Sequence, residues 1–163
     1  MKTVLLIRHA KSSWADAGMD DFDRPLNERG KTDAPAMAQR LVKRNIIIDA
    51  FISSTAKRAR KTCLYFMEAY QRNKEDMIAM QQLYLAPPEI FYECIAELDN
   101  EFSNIALFGH NNGITEFANS LTDARIENMP TCSIFAVKAN CKSWKEFKNA
   151  KKEFWFFDYP KNA

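Results

Sequence analysis

Several features that would mark a metal-binding, disulfide-bonded or membrane protein are missing from this sequence. Its cysteines, Cys63, Cys94, Cys132 and Cys141, lie far apart, with no Cys-x-x-Cys pair and no histidine at zinc-ligand spacing. Cys63 and Cys94 fall on the apolar faces of predicted helices, so we interpret the cysteines as small core residues. No apolar run approaches the roughly 20 residues that cross a bilayer.

The net charge and the length of the chain exclude further classes of protein. A formal net charge of +2 argues against a protein built around a nucleic-acid backbone. Met1–Thr3 leads directly into an apolar segment without a signal-peptide cleavage site, so we expect a cytoplasmic protein that does not contact membranes. With 163 residues, of which 47% are hydrophobic, we expect one domain over residues 1–163 and a monomer.

The chain contains only two histidines, and each follows a segment that reads as a buried strand. Val4–Ile7 ends at Arg8 and His9, whereas Ile105–Phe108 ends at Gly109 and His110. Ligands of open α/β sheets bind at the carboxyl ends of the strands. We therefore expect both histidines at one edge of a parallel sheet, with Gly109 allowing a close backbone approach.

Strand and helix patterns alternate along most of the chain. They predict a single three-layer α/β/α domain with a mostly parallel central sheet and helices on both faces. Asn27 is the expected N-cap of the first helix, and Pro35 is expected to mark where its regular hydrogen bonding starts. Trp144 and Phe147 are expected to pack between the last two strands. The remaining predicted elements are a loop over 12–26, strands at Ile46–Ile52, Met77–Met80, Ser133–Val137 and Phe154–Phe157, and helices after Thr55, Pro87-Pro88 and Gly113.

The residue types at this sheet edge suit a phosphoryl group. The hydroxyl-rich turn Ser53–Thr55 precedes a helix, which would aim backbone N–H groups at an anion, and Arg58 lies in the first turn of that helix. The guanidinium groups of Arg8 and Arg58 match paired phosphoryl oxygens. A neutral imidazole can attack phosphorus, while a second one hydrogen-bonds the transferring oxygens.

A metal site is the alternative use for two histidines. Asp20, Asp21 and Asp23 could supply oxygen ligands, but two nearby arginines would repel a divalent cation. We therefore expect neither a metal nor another cofactor.

These residues resemble the signatures of the histidine phosphatase superfamily, which has the phosphoglycerate-mutase-like fold. The similarity lies in four motifs in the same order, covering residues 3 to about 115. The short chain and the Ala after His9 look most like the bacterial phosphohistidine phosphatase branch, the SixA-like proteins. The motifs are Leu6–Ser12, Arg24–Gly30, Ser53–Thr62 and Gly109–Asn111.

The resemblance implies a role for each matching residue. His9 would receive the phosphoryl group, Arg8 and Arg58 would clamp it, and His110 would hydrogen-bond its oxygens without a metal. Ser12 and Asn111 are further candidates for substrate contacts.

The sequence departs from the family pattern at two places. Thr55 stands where proline is usual, which would change only the stiffness of the turn. Gln82–Ala86 contains no carboxylate where mutase-like members carry a proton-donating glutamate, and Glu89 is the nearest acid.

The missing acid favours a leaving group that does not need a proton from a general acid. Imidazole leaves a phosphoramidate more readily than an alkoxide leaves an ester. We therefore predict a phosphatase with a phosphohistidine intermediate that acts on phosphohistidine in a protein. The alternatives are a small-molecule phosphomonoesterase of the same superfamily and a phosphate-recognition module without turnover.

Overall fold

The computed structural model describes residues 1–162 and contains one six-stranded sheet. In chain order the strands are β1 Lys2–Arg8, β2 Ala50–Ser54, β3 Ile78–Met80, β4 Asn104–Gly109, β5 Ile134–Ala139 and β6 Lys152–Asp158. Their spatial order is β3-β2-β4-β1-β5-β6. The first four strands pair in parallel, β5 pairs antiparallel to β1, and β6 pairs antiparallel to β5. The carboxyl ends of β1, β2 and β4 therefore share one edge of the sheet.

Within residues 1–162, four α-helices cover the two faces of this sheet. They are α1 Glu28–Lys43, α2 Lys57–Ala69, α3 Pro88–Ala96 and α4 Gly113–Leu121. Leu5 and Ile7 of β1 face α1 and α2, whereas Val4 and Leu6 face α3 and α4. All four of these side chains are fully buried, because successive strand residues point to opposite faces and both faces are covered. The predicted three-layer α/β/α architecture is confirmed.

The described residues also contain short 3-10 helices at Asp21–Asp23, Lys74–Asp76, Gln81–Leu83 and Trp144–Asn149. Within residues 1–162, no helix is both long enough and apolar enough to cross a membrane. All four cysteines are buried and unpaired, which confirms their interpretation as core residues.

The first helix begins where predicted, but Pro35 does not mark the start of its hydrogen bonding. The Asn27 side chain accepts a hydrogen bond of 2.9 Å from the Gly30 N–H, and α1 runs from Glu28 through Pro35 without interruption. The cap satisfies one of the free N–H groups of the first turn, which lets the helix start well before the proline.

The second strand begins at Ala50 rather than at Ile46. Ile46 to Asp49 form an irregular connection between the turn that ends α1 and the start of β2, and Ile47 within it is 66% exposed. The carboxylate of Asp49 accepts hydrogen bonds from the N–H groups of Ser103 and Asn104, at 2.9 and 2.8 Å. Asp49 thus accepts hydrogen bonds from the backbone N–H groups at the start of β4. The β-branched residues before Asp49 gave no indication of this role.

Two predicted packing roles are also wrong. Strands β5 and β6 hydrogen-bond to each other directly, so Trp144 and Phe147 do not lie between them but pack with α3 on the sheet face. Close backbone approaches occur instead at Gly113 and Gly30, where a Cβ atom would lie 1.7 Å from the Ala86 carbonyl oxygen and 2.2 Å from the Lys11 carbonyl oxygen, respectively. At Gly109 the nearest neighbour of such a Cβ would be the ring of Phe91, at 3.3 Å.

Candidate active site

The sheet register brings the two histidines together. Arg8 at the end of β1 lies opposite Gly109 at the end of β4, and the His9 N–H donates to the Gly109 carbonyl at 3.1 Å. The two imidazole ring centroids are 5.2 Å apart. The expectation that both histidines share one sheet edge is therefore correct.

His9 is buried in a defined tautomer. Its Nδ1 lies 2.8 Å from the Ala10 carbonyl oxygen, which can only accept, so Nδ1 carries the proton. Nε2 then keeps its lone pair and accepts a hydrogen bond from Arg58 Nε at 3.3 Å. Burial lowers the pKa of His9 well below its usual value, and the nearby His110, Arg58 and Arg8 lower it further, against the opposing effect of the Ala10 bond. The ring is thus a neutral imidazole with its lone pair on Nε2.

His110 is held by a serine at the end of β2. Its Nε2 lies 2.8 Å from Ser54 Oγ, and Ser54 Oγ also accepts the Ala56 N–H at 3.2 Å. Within residues 1–162, the imidazole is the one acceptor that the Ser54 hydroxyl reaches, so the hydroxyl donates to Nε2 and Nδ1 carries the proton. Burial, and then the positive charge of Arg58, lower the pKa of His110 to about 3. His110 is therefore neutral and offers an N–H donor at Nδ1.

Arg58 connects α2 to the loop after β1. Its Nη1 donates to the Asp21 backbone carbonyl at 2.5 Å, and its Nη2 donates to the Asp21 carboxylate at 2.9 Å. That carboxylate also accepts hydrogen bonds from Arg24 at 2.8 Å and from the hydroxyl of Tyr84. Burial alone would raise the pKa of Asp21, but the bonds from Tyr84, Arg58 and Arg24 outweigh it and hold the pKa well below its usual range. Asp21 is therefore ionised at any pH near neutrality.

Arg8 is less completely paired than Arg58. Its Nη1 donates to the Met129 carbonyl at 2.8 Å, while its buried Nε has no hydrogen-bond partner within residues 1–162. Nδ1 of His110 is also buried without a partner in the same part of the chain. Two such donors are costly unless an acceptor can reach them, so they indicate an anion-binding site.

A cavity of about 260 Å³ opens at this sheet edge. Its walls include the site residues predicted from the sequence, namely Arg8, His9, Ser12, Arg58, His110 and Asn111. The Ser12 hydroxyl accepts a hydrogen bond from Arg24, and the Asn111 side chain bonds to Asn128 and Thr115. Glu89 is different, because it is exposed in the first turn of α3 and does not line the cavity.

Several residues of the site were not recognised from the sequence in their observed roles. Asp21 was considered only as a metal ligand, yet its carboxylate binds two guanidinium groups. Tyr84 lies in the segment Gln82–Ala86, where the family pattern has a glutamate. The sequence therefore pointed to this segment as part of the site, but it did not indicate a role for a tyrosine. Thr62 accepts the Ala10 N–H at 2.9 Å and donates to the Arg58 carbonyl at 2.8 Å, which ties the loop after β1 to α2.

The acidic run beside the site does not form a cluster with the histidines. No group of three or more histidine, cysteine, aspartate or glutamate side chains within residues 1–162 is placed to hold a metal ion. The cations next to Asp21 are Arg24 and Arg58.

Comparison with known proteins agrees with this arrangement. The model of the histidine phosphatase superfamily, branch 1, matches residues 4–83, which include Arg8, His9 and Arg58. An uncharacterised chloroplastic protein of Arabidopsis thaliana is 31% identical over 153 residues, which cover 89% of this chain and 70% of that protein.

Solved structures share the whole fold. The Agrobacterium tumefaciens protein assigned as phosphohistidine phosphatase SixA has a TM-score of 0.82 and 27% identity, with 98% of each chain covered. The protein histidine phosphatase SixA complexed with tungstate has a TM-score of 0.83 at 18% identity, again over 98% of each chain, which shows the shared fold. The fold and the site together define an α/β phosphatase. The chain belongs to the histidine phosphatase superfamily.

Proposed function

We propose that this phosphatase works without a metal, through a phosphoryl group carried on His9, and that its substrate is phosphohistidine in a protein. The observation that carries the proposal is the hydrogen bond from His9 Nδ1 to the Ala10 carbonyl. It fixes the tautomer whose lone pair lies on Nε2, which can act as a nucleophile once the hydrogen bond from Arg58 Nε is given up. Burial among cationic neighbours keeps the proton off that nitrogen.

In the first step, the Nε2 lone pair of His9 forms a bond to phosphorus, and the bond from phosphorus to the substrate nitrogen breaks. The electron pair of the broken bond returns to the substrate imidazole, which leaves neutral when its other ring nitrogen carries a proton. The His9 ring becomes positively charged in this step. The Ala10 carbonyl stabilises that charge through the Nδ1–H bond that already exists.

In the second step, a water oxygen attacks phosphorus and the bond to His9 Nε2 breaks. The electron pair returns to Nε2, phosphate is released, and the proton lost by the water passes to solvent. Both steps are displacements at phosphorus, for which positioning and charge stabilisation supply most of the catalysis.

Three residues supply donors to the proposed phosphoryl position, namely Arg8, Arg58 and His110. Arg8 Nε and His110 Nδ1 are unpartnered within residues 1–162, and Arg58 lies within hydrogen-bond distance of the nucleophile. Phosphoryl oxygens compete with the Asp21 carboxylate for Arg58, because both are anions that fit the guanidinium fork. The Asp21 side chain is 41% exposed, so it has room to move aside.

The proposed substrate is supported by the lack of a proton donor at the cavity among residues 1–162. Asp21 is held as a carboxylate, the Tyr84 hydroxyl donates to Asp21, and Glu89 lies outside the cavity. An alkoxide leaving group would receive no proton from these residues. An imidazole that already carries a proton on its other nitrogen can leave without a proton donor. The similarity at 27% identity to a protein assigned as a phosphohistidine phosphatase supports the same choice.

The test compares two substrates and two proteins, with a chelator present throughout. The substrates are a phosphohistidine-bearing peptide and an aryl phosphate, and the proteins are the wild type and His9→Ala. We expect phosphate release that survives the chelator, is faster from the peptide, and falls by about 10⁴-fold or more in His9→Ala.

Other outcomes would identify a different function. Faster release from the aryl phosphate would favour a small-molecule phosphomonoesterase. Binding of the peptide without any release would favour a phosphate-recognition module, and undiminished release by His9→Ala would remove His9 as the nucleophile.

A further inference from the structure

Two large apolar side chains at the mouth of the cavity take no part in the proposed chemistry. Trp14 is 73% exposed and Leu85 is 54% exposed, and both line the cavity that contains His9. Trp14 belongs to the loop after β1, and Leu85 belongs to the segment between β3 and α3. Scattered apolar residues on a surface are ordinary, but two that flank one catalytic cavity need an explanation.

Trp14 is held in place by the site itself. The Arg24 guanidinium carbon lies 3.3 Å from the centre of the Trp14 ring, which is a stacked cation–π contact. Arg24 is in turn fixed by hydrogen bonds to the Ser13 carbonyl at 3.1 Å, to Asp21 at 2.8 Å and to Ser12. One face of the indole ring is therefore supported, although most of the side chain remains exposed.

Leu85 occupies a backbone conformation that leucine rarely adopts. Its φ angle is +52°, in the left-handed region that glycine or asparagine would enter at lower cost. The strained residue leaves a leucine 54% exposed at the cavity, and this side chain does not join either hydrophobic core cluster of residues 1–162. A strained backbone conformation at a residue outside the hydrophobic core is characteristic of functional positions.

The size of the cavity indicates what the two side chains contact. At about 260 Å³ it is smaller than the roughly 300–1,000 Å³ of pockets that enclose drug-sized ligands. It suits a phosphoryl group with the side chain that bears it, while the rest of a substrate must lie over the rim. Lys11 is also exposed at this rim, so the surroundings of the phosphate are apolar with added positive charge.

We infer that Trp14 and Leu85 form a docking surface for the polypeptide segment that flanks the phosphohistidine of the substrate protein. The inference rests on the proposed function and adds the residues that distinguish a protein substrate from a small one. The segment it fits carries apolar side chains next to the phosphorylated histidine, since those would cover the indole and the leucine. Exposed aromatic residues of this kind contribute much of the binding energy in protein interfaces.

The test measures kcat/KM for a phosphohistidine-bearing peptide and for N-phosphoimidazole, which has no flanking chain. In the double variant Trp14→Ala/Leu85→Gly, we expect the ratio of peptide to N-phosphoimidazole kcat/KM to fall at least about tenfold, chiefly through KM. Glycine relieves the left-handed conformation at position 85, so poor folding would not explain the loss. Ile47→Ser is the matched control, because Ile47 is 66% exposed but lies away from the cavity, and its ratio should not change.

An unchanged ratio in the double variant, with N-phosphoimidazole turned over by the wild type, would overturn the docking surface and leave the proposed function standing. An equal loss on both substrates would also overturn it, since the two side chains would then act on the phosphoryl site itself. Absence of wild-type activity on both substrates would overturn the proposed function and the docking surface with it.

Discussion

The two ends of the central sheet differ in how completely their polar side chains are hydrogen-bonded. At the amino end, Lys2 is only 3% exposed, and its ammonium donates to the carbonyls of Asn100 and Phe102, both at 2.6 Å. It also lies 5.0 Å from the centre of the Trp144 ring. Asp49 at the same end accepts three hydrogen bonds from the start of β4. Every one of these charges has a partner.

At the carboxyl end the partners are incomplete. Arg8 Nε, His110 Nδ1 and Ser133 Oγ are the buried side-chain nitrogen and oxygen atoms of residues 1–162 that lack a hydrogen bond. All three belong to residues at or beside the ends of β1 and β4. Satisfied polar groups hold strands together, whereas unsatisfied ones cost stability and are retained where they bind something. The contrast supports the proposed phosphoryl site at the carboxyl end of the sheet and a structural role for the polar groups at the amino end.

The largest effect expected from this contrast comes from removing Arg8, whose buried Nε has no hydrogen-bond partner within residues 1–162. Arg8→Met takes away one proposed phosphoryl donor, so kcat/KM for a phosphohistidine peptide should fall by about 10²- to 10³-fold. The free energy of unfolding should change by only about 1 kcal/mol, because the lost bond to Met129 is offset by removal of an unpaired buried donor. Steady-state kinetics and urea unfolding of the same preparation measure the two quantities.

The matched change at the amino end should give the reverse pattern. Lys2→Met leaves the carbonyls of Asn100 and Phe102 without their ammonium donor, which should lower the free energy of unfolding by about 1–3 kcal/mol. The catalytic constants should not change, since Lys2 lies at the opposite end of the strand from His9. A loss of activity in Lys2→Met as large as that in Arg8→Met would show that the two ends are not functionally distinct.

The buried histidines should make stability depend on pH. The folded-state pKa of His110 is about 3, so the unfolded chain binds a proton below about pH 6.5 that the folded chain does not. Stability is therefore unaffected above the unfolded pKa and falls as the pH drops below it, by roughly 2 kcal/mol for this residue between pH 7 and pH 5. His9 acts in the same direction.

Urea unfolding at several pH values measures this effect, with His110→Gln as the comparison. The variant should lose the part of the dependence between pH 7 and pH 5 that His110 contributes, which is roughly 2 kcal/mol. Asp21 does not interfere in that interval, because its lowered pKa stabilises the folded chain above about pH 4 and the benefit is lost only at lower pH. An equally steep dependence in His110→Gln would mean that His110 is not buried as the neutral form.

The smallest effect concerns the serine that orients His110. Ser54→Ala removes the hydroxyl that donates to Nε2, so the proton is no longer restricted to Nδ1, and kcat should fall by about tenfold. The ¹⁵N chemical shifts of the two histidines report the tautomer directly. Ser53→Ala is the control, because the Ser53 hydroxyl is also buried but donates to the Ser54 carbonyl, and it should leave both readouts unchanged.

Most of the fold could be predicted from the sequence because the parallel strands are buried on both faces. Uninterrupted apolar runs such as Val4–Ile7 are readable for that reason, and the polar residues that end them locate the functional edge. The strand boundary at Ile46 was wrong because apolar composition does not distinguish a strand from an irregular connection that also buries isoleucine side chains, here Ile46 and Ile48. Asp49 sets the true boundary through contacts with residues more than fifty positions away.

The residues around the phosphoryl site were only partly predictable. Arg8, His9, Arg58 and His110 stand next to regular elements, so their positions follow from the strand and helix pattern. The contacts of Asp21 and Tyr84 depend on how two aperiodic segments fold over the sheet edge, and no periodicity reports that. The tautomer of His9 is set by a hydrogen bond to a backbone carbonyl. Every residue has such a carbonyl, so no residue type in the sequence indicates which tautomer forms.

The most direct test of the account is to find the phosphoryl group during turnover. The wild-type protein would be mixed with a phosphohistidine peptide, stopped rapidly with alkali, and examined by mass spectrometry and by ³¹P NMR of protein labelled with ¹⁵N at histidine. The account predicts a phosphoryl group bound to Nε2 of His9, which is absent in His9→Ala. Phosphorylation of His110, attachment to Nδ1 of His9, or turnover with no phosphorylated protein at any time would contradict it.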